Sequence, residues 1–229
     1  MSVILALETS GSVCSVCLDC DGTRFELTHH VERRHNELLL GMIDEVCEQA
    51  GVGRRQLSAL AFGCGPGSFT GVRIAAACVQ AISFTLKIPV VPVPSSTVLV
   101  NAAVRLGLVQ RSSETRDLRV SLVTSIRSRA ELYYMAGYLL KDSGVEVVIP
   151  DELYDSIASL PSELSARSAL FGAPPQWWQG AQWNQVTPTA ADVVESALVM
   201  LARGESVPSA LALPVYVRGD TPWRRQGDN

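Results

Sequence analysis

Lysine, histidine and long apolar runs are what this sequence has least of. Lys87 and Lys141 are the only lysines, so nearly all of the 19 basic residues are arginine. Neither lysine follows a glycine cluster, which excludes a phosphate loop of the G-x-x-x-x-G-K-[ST] type. Arginine's planar fork suits fixed pairing, but a GC-rich genome gives the same bias and carries more weight as its cause. The three histidines, His29, His30 and His35, crowd near the N-terminus, and no two stand four apart. A metal-dependent transferase or peptidase needs three or more convergent ligands, so this chain is not expected to build a metal site alone. No apolar run approaches the length of a membrane span, and no basic leader precedes Val3–Leu7. A cytoplasmic protein with no membrane association is the expectation.

What is present is ordinary for a globular chain: 229 residues, 47% hydrophobic and 18% charged, enough for one large or two small domains. A net charge of −4 argues against general polyanion binding, so nucleic acid would have to be met through a local patch or a partner. Cys14, Cys17 and Cys20 form C-x-x-C-x-x-C, which invites a metal reading. They lie on a strand-like run, however, where residues three apart point to opposite faces. Small core residues are the better reading.

Strands are expected at Val3–Glu8, Val13–Leu18 and Arg24–Thr28, with a hairpin turn at Asp21-Gly22. Leu39, Met42, Ile43, Val46 and Ala50 make one stripe of a helix from His35 to Ala50, capped by Gly51. Strand Leu57–Phe62 feeds a glycine-rich stretch, followed by an apolar helix Val72–Lys87, strand Pro89–Val93 and a helix to Arg105. A polar link, 107–117, leads to strands Leu118–Ile126, Leu132–Leu140 and Val145–Ile149. Pro150-Asp151 opens a short helix to Leu160, and Thr187-Pro188 starts a helix to Arg203. Trp177, Trp178 and Trp183 sit in one loop, where packing onto their own lobe is favoured over stacking on a base. The fold class is α/β, with two lobes of mixed sheet and flanking helices, 1–106 and 107–229, and a cleft between them. The last segment, 211–229, is assigned a return toward the first lobe.

The stretch Gly63-Cys64-Gly65-Pro66-Gly67-Ser68-Phe69-Thr70-Gly71-Val72-Arg73 dominates the first lobe. Glycine is used where φ is positive or another surface comes close, and a strand–loop–helix junction is a ready anion site. The spacing fits neither the lysine-containing loop nor G-x-G-x-x-G, since Thr70 stands where the third glycine would be. A tight turn that lets helix and strand pack closely is the simpler reading. Glu8, Thr9 and Ser10 end the first strand and are candidates to face a nucleotide or anion; a turn-capping role for Glu8 is equally open.

Taken together, Ile4–Ser10, Cys14-Ser15-Val16, Glu32-Arg33-Arg34-His35, Gly65–Arg73 and Pro214-Val215-Tyr216-Val217-Arg218 resemble the TsaB family, related to TsaD. The most specific part is Gly65, Pro66, Gly67, Ser68, Phe69, Thr70, Gly71 and Arg73. The resemblance implies a two-lobed actin, Hsp70 and sugar-kinase-like fold. It implies a non-catalytic subunit, without cofactor, of the complex that puts a threonylcarbamoyl group on the tRNA adenosine next to the anticodon. The implied partners are a TsaD-like catalytic subunit and a TsaE-like ATPase, with tRNA met through the complex and a homodimer as one state of the isolated chain. Docking is implied through the helices 35–50 and 72–87, with Leu39, Ile43, Val46, Val72, Ala75, Ala76, Val79 and Ile82 as candidate partner-binding residues and Arg73 as a charged anchor. The sequence departs from the family where Glu8 replaces an aspartate, Cys64 an arginine, and Ser125–Arg129 an Asp-Ala-Arg motif. The competing reading is an ATPase or small-molecule kinase of the same superfold acting alone. It would need a second glycine-rich phosphate loop, and the second half has none.

Overall fold

The computed structural model describes residues 2–31, 34–109, 121–129, 131–141, 144–165 and 168–217. Glu32 and Arg33, most of the polar link, the Asp142-Ser143 turn and the tail from Arg218 lie outside the described residues. Two mixed sheets organise the chain. The first has the order β3-β2-β1-β4-β5, from β1 (Val3–Glu8), β2 (Val13–Cys20), β3 (Thr23–His30), β4 (Ala59–Gly63) and β5 (Val90–Val93). The second has the order β8-β7-β6-β9, from β6 (Leu122–Arg129), β7 (Leu132–Lys141), β8 (Gly144–Tyr154) and β9 (Ala169–Gly172).

Each sheet is an antiparallel meander whose first strand then pairs in parallel with a later one. β1 is antiparallel to β2 and parallel to β4; β6 is antiparallel to β7 and parallel to β9. The same topology twice accounts for the duplicated sequence pattern.

Strand β1 is apolar throughout because both its faces are covered. Leu5 and Leu7 join one core cluster with Leu39, Ile43 and Val46 of α1 (His35–Ala50) and Ala75, Ala76 and Val79 of α2 (Phe69–Leu86). Ala6 faces the other way, into a cluster with Val193, Val194 and Ala197 of α5 (Ala190–Ala202). Cys14 belongs to the first cluster and Cys17 to the second, as strand alternation requires. All six cysteines are free.

Helix α3 (Ser95–Arg105) joins the two sheets. Val98 packs with α5, while Leu99, Val100 and Ala103 pack with Leu122, Tyr138 and Phe171 of the second sheet. At its end, Arg105 makes a two-bonded pair with Asp192, Nε–Oδ1 2.8 Å and a second nitrogen to Oδ2 at 3.0 Å. Asp192 is fully buried and also accepts from the Thr189 N–H at 2.9 Å, capping α5.

Several expected boundaries move. α2 starts at Phe69, not Val72, because Ser68 is its N-cap and accepts from Gly71 N–H at 3.2 Å. α5 starts at Ala190, since Thr189 and Asp192 form a capping box and Thr187-Pro188 remains outside. No helix opens at Pro150: β8 continues to Tyr154, with Pro150 tolerated on an edge strand, and a short turn at Ile157–Ser159 and the one-turn helix α4 (Ser162–Ser165) follow. Division by chain order does not hold for α5, and 207–217 run back to the first lobe, the direction assigned to the segment from 211. Helix α5 lies on the first sheet, Val207 pairs with Val90, Ala212 sits in the first core cluster, and Val215 N–H donates to the Cys64 carbonyl at 2.8 Å.

The membrane expectation also needs a correction. α2 is 18 residues with a mean hydropathy of 1.4, long and apolar enough by composition to cross a membrane. Val72, Ala75, Ala76 and Val79 are nevertheless buried by this chain's own fold, as in a core helix. The tryptophan loop packs on its own sheet: Trp178 and Trp183 meet edge to face at 5.5 Å, and Trp177 meets Tyr133 at 6.1 Å.

Candidate functional site

The turn after β1 and the glycine stretch are built into each other. Thr9 Oγ1 donates to the Gly71 carbonyl at 2.8 Å, and Ser68 N–H donates to the Ser10 carbonyl at 2.7 Å. A Cβ at Gly71 would lie 1.9 Å from the Thr9 carbonyl oxygen, and one at Gly63 would lie 2.1 Å from Glu8 Oε2. These glycines therefore make room for the β1–β2 turn rather than for a ligand, as the close-packing reading expected. Gly65 and Gly67 add positive φ of 98° and 159°, and the Gly65–Pro66 peptide is cis. Arg73 stays on its own helix face, with its guanidinium 3.1 Å over the Phe69 ring and 5.2 Å from Tyr216.

Glu8 is buried beneath this contact. Its Oε1 accepts from Ser10 N–H at 2.6 Å, while Oε2 has no partner among the described residues. Burial pushes its pKa up to about 7, against the hydrogen bonds from Ser10 and with help from the nearby Asp192 charge. Cys64, where the resemblance calls for arginine, is buried beside Glu8 and Asp151, and burial raises its thiol to about 12.

Asp151, read in the sequence as a helix start, instead reaches from β8 to the start of α3. Its Oδ2 accepts from Ser96 Oγ, and burial lifts its pKa to about 6. It borders a cleft of about 680 Å³ walled by Pro94, Leu153, Val215 and Tyr216. None of Glu8, Thr9 and Ser10 lines that cleft. Glu8 and Thr9 are buried against the glycine stretch. Among the described residues no group of three or more histidine, cysteine or acidic side chains is arranged to hold a metal.

The candidate partner-binding residues also need correction. Leu39, Ile43, Val46, Val72, Ala75, Ala76 and Val79 are buried in the chain's own core, and Ile82 is partly buried against it. The stripe read as a docking face is the inner face of each helix. The outer faces carry different apolar groups: Leu40 on α1 is 62% exposed and Phe84 on α2 is 66% exposed. Thr70, Ala77 and Ala81 are exposed and Ile74 partly so, which puts 70, 74, 77, 81 and 84 on one side of α2. The signal for this second stripe was the helix's all-round apolar circumference.

Comparison with known proteins bears on this arrangement. The chain is 30% identical over 97% of both lengths to the Escherichia coli protein named "tRNA threonylcarbamoyladenosine biosynthesis protein TsaB". The chain belongs to the TsaB family. A Haemophilus influenzae TsaB is 28% identical over 97% of this chain and 96% of its own. A solved structure titled "YeaZ from Pseudomonas aeruginosa" superposes with a TM-score of 0.81 at 30% identity, covering 95% of this chain and all of that one. The family model described as "TsaD: tRNA N6-adenosine threonylcarbamoyltransferase" matches residues 29–160. The TsaD-like, duplicated two-sheet fold expected from the sequence is thus the one present. In this chain the family's glycine segment is a structural joint between β1 and α2, and the three histidines do not converge: His29 and His30 are exposed on β3, and His35 is buried at the start of α1.

Proposed function

We propose that this chain takes part in making threonylcarbamoyladenosine in tRNA as a non-catalytic subunit that docks a TsaD-like catalytic subunit through the outer faces of α1 and α2. The observation that carries the proposal is the stripe of exposed Thr70, Ala77, Ala81 and Phe84 with half-buried Ile74 on α2, together with the exposed Leu40 on α1. Small residues in the middle of a helix face let a partner helix come close, and a large apolar group such as Phe84 supplies area. An exposed apolar face of this kind on a folded chain fits a protein contact better than solvent. Recruitment of a TsaE-like ATPase, contact with tRNA through the complex, and homodimerisation of the isolated chain through the same face complete the proposal. The buried state of Glu8 and Thr9 and the unshared positions of the histidines support the non-catalytic part.

The test is to mix the chain with a TsaD-like subunit and follow complex formation by gel filtration, using Ala77→Glu and Phe84→Glu as variants. Substitutions at Ala76 or Val79 would not serve, because a charge there would be buried inside this chain. A heterodimer that the two variants abolish, together with restored tRNA modification in a strain lacking its own TsaB, is the expected result. ATP turnover by the isolated chain, or a complex indifferent to both variants, would refute the proposal.

A further inference from the structure

The outer face of α2 ends at a groove of about 480 Å³ between the last turn of the helix and the chain at 206–209. Ser83, Phe84, Ile88, Val207 and Pro208 form most of its wall, and Lys87 is the charged group on it. The backbone holds Lys87 in place. Its φ is 59°, uncommon for a residue with a side chain, and its N–H caps the helix by donating to the Ser83 carbonyl at 2.8 Å. Its Nζ lies 4.1 Å from the centre of the Phe84 ring, so the ammonium sits against the largest apolar group of the outer stripe. Among the described residues no carboxylate pairs with it, whereas Lys141, the other lysine, pairs with Glu146. A cation already placed beside an apolar surface loses little freedom when an acid meets it.

Charge is divided by sign across the two helices. From Phe69 to Lys87 the charged side chains are Arg73 and Lys87, both basic and roughly 20 Å apart along the helix. The exposed side of α1 carries Glu37, Asp44, Glu45 and Glu48. Arg34 pairs with Glu37 and Arg54 with Asp44, which leaves Glu45 and Glu48 without an ion pair among the described residues. An acidic edge of a partner is therefore drawn to the end of α2 and repelled by α1. We propose that the TsaD-like subunit brings a carboxylate side chain to Lys87 and seats a neighbouring apolar side chain in this groove. The inference rests on docking through the outer faces, and it adds the chemistry of the partner's contact and which edge of the partner lies on α2.

The test is carbodiimide crosslinking of the mixed subunits, which joins an amine to a carboxylate in direct contact, read by peptide mass spectrometry. Lys87 and Lys141 are the only lysines, so assignment is simple. An amide between Lys87 and an aspartate or glutamate of the TsaD-like subunit is expected, with Lys141 joined to Glu146 as the internal control. Calorimetry supplies the energetic arm. Lys87→Glu should weaken the complex at least about tenfold, Lys87→Asn by less, and Lys87→Arg should hold the parent affinity. Asparagine accepts the left-handed conformation, so Lys87→Asn keeps the fold. The loss in Lys87→Glu should shrink in high salt. Ala77→Glu separates the two claims. If it abolishes the complex while Lys87→Glu leaves affinity unchanged, docking stands and the Lys87 contact is overturned. If Ala77→Glu has no effect, the docking reading fails and the contact falls with it. Lys87 joined to Glu45 or Glu48 of a second copy, and to nothing on the TsaD-like subunit, would also overturn it.

Discussion

Glycine to alanine at two helical positions should change stability in opposite directions. Gly71 sits in the first turn of α2 and Gly41 in the middle of α1, and neither has positive φ. On helix propensity alone each substitution gains about 1 kcal/mol. At Gly41 nothing lies within 4 Å of the added Cβ, so that gain should appear in full. At Gly71 the Cβ would lie 1.9 Å from the Thr9 carbonyl oxygen, with Ser68 Oγ at 3.2 Å. The backbone of the β1–β2 turn must then move, at an overpacking cost of about 1–3 kcal/mol. The Thr9–Gly71 hydrogen bond at 2.8 Å is strained or lost, for about 1 kcal/mol more. The net effect is a loss of roughly 1–3 kcal/mol for Gly71→Ala against a gain of about 1 kcal/mol for Gly41→Ala. Urea unfolding followed by far-ultraviolet circular dichroism measures both. A Gly71→Ala variant as stable as the parent would refute the account of the glycine stretch as a close-packed joint. A destabilised Gly41→Ala would refute the separation of propensity from packing.

Other outcomes follow from the buried polar groups. Glu8 holds its proton in the fold up to about pH 7 and releases it near 4.5 when unfolded, so its stabilising contribution is present below pH 4.5 and lost as pH rises through 7. The change is roughly 3 kcal/mol, and Glu8→Gln should flatten the urea-midpoint profile over that window. Asp151 acts in the same sense between 3.8 and about 6, so some slope should survive in Glu8→Gln. Asp192→Ala removes the α5 cap and the partner of Arg105, and should cost about 2–3 kcal/mol by chemical denaturation. Because the Arg105 side chain is 42% exposed, Arg105→Gln should cost less than Asp192→Ala; the reverse order would contradict the pairing. Cys14, Cys17 and Cys64, raised to about 11, 12 and 12 by burial, should resist maleimide in the native state, as peptide mass spectrometry would check.

Much of the fold was legible because β1 and α1 carry simple patterns. Val3–Glu8 was found to the residue, and so was His35–Ala50, since a short apolar run closed by a carboxylate and turn residues, and a single apolar stripe, leave little room for error. α2 was misread at its start because a serine cap and three following residues look like loop when glycines crowd them. It was misread in orientation because a helix apolar all round gives no phase: Ala76 and Ala77 are alike in sequence, yet one is buried and the other exposed. Asp151 was hidden by Pro150, a common helix opener that here sits on an edge strand. The return of α5 to the first sheet is set by contacts across the whole chain, which no local pattern carries.

The most direct test of the docking claim is the affinity of a TsaD-like subunit for the parent chain and for Phe84→Glu, measured by calorimetry after both chains show the same unfolding temperature. Phe84 is 66% exposed, with Lys87 Nζ 4.1 Å from its ring, so the isolated fold should feel the change little. An outer-face interface predicts at least about a tenfold loss of affinity. Equal affinity in the two chains would contradict it.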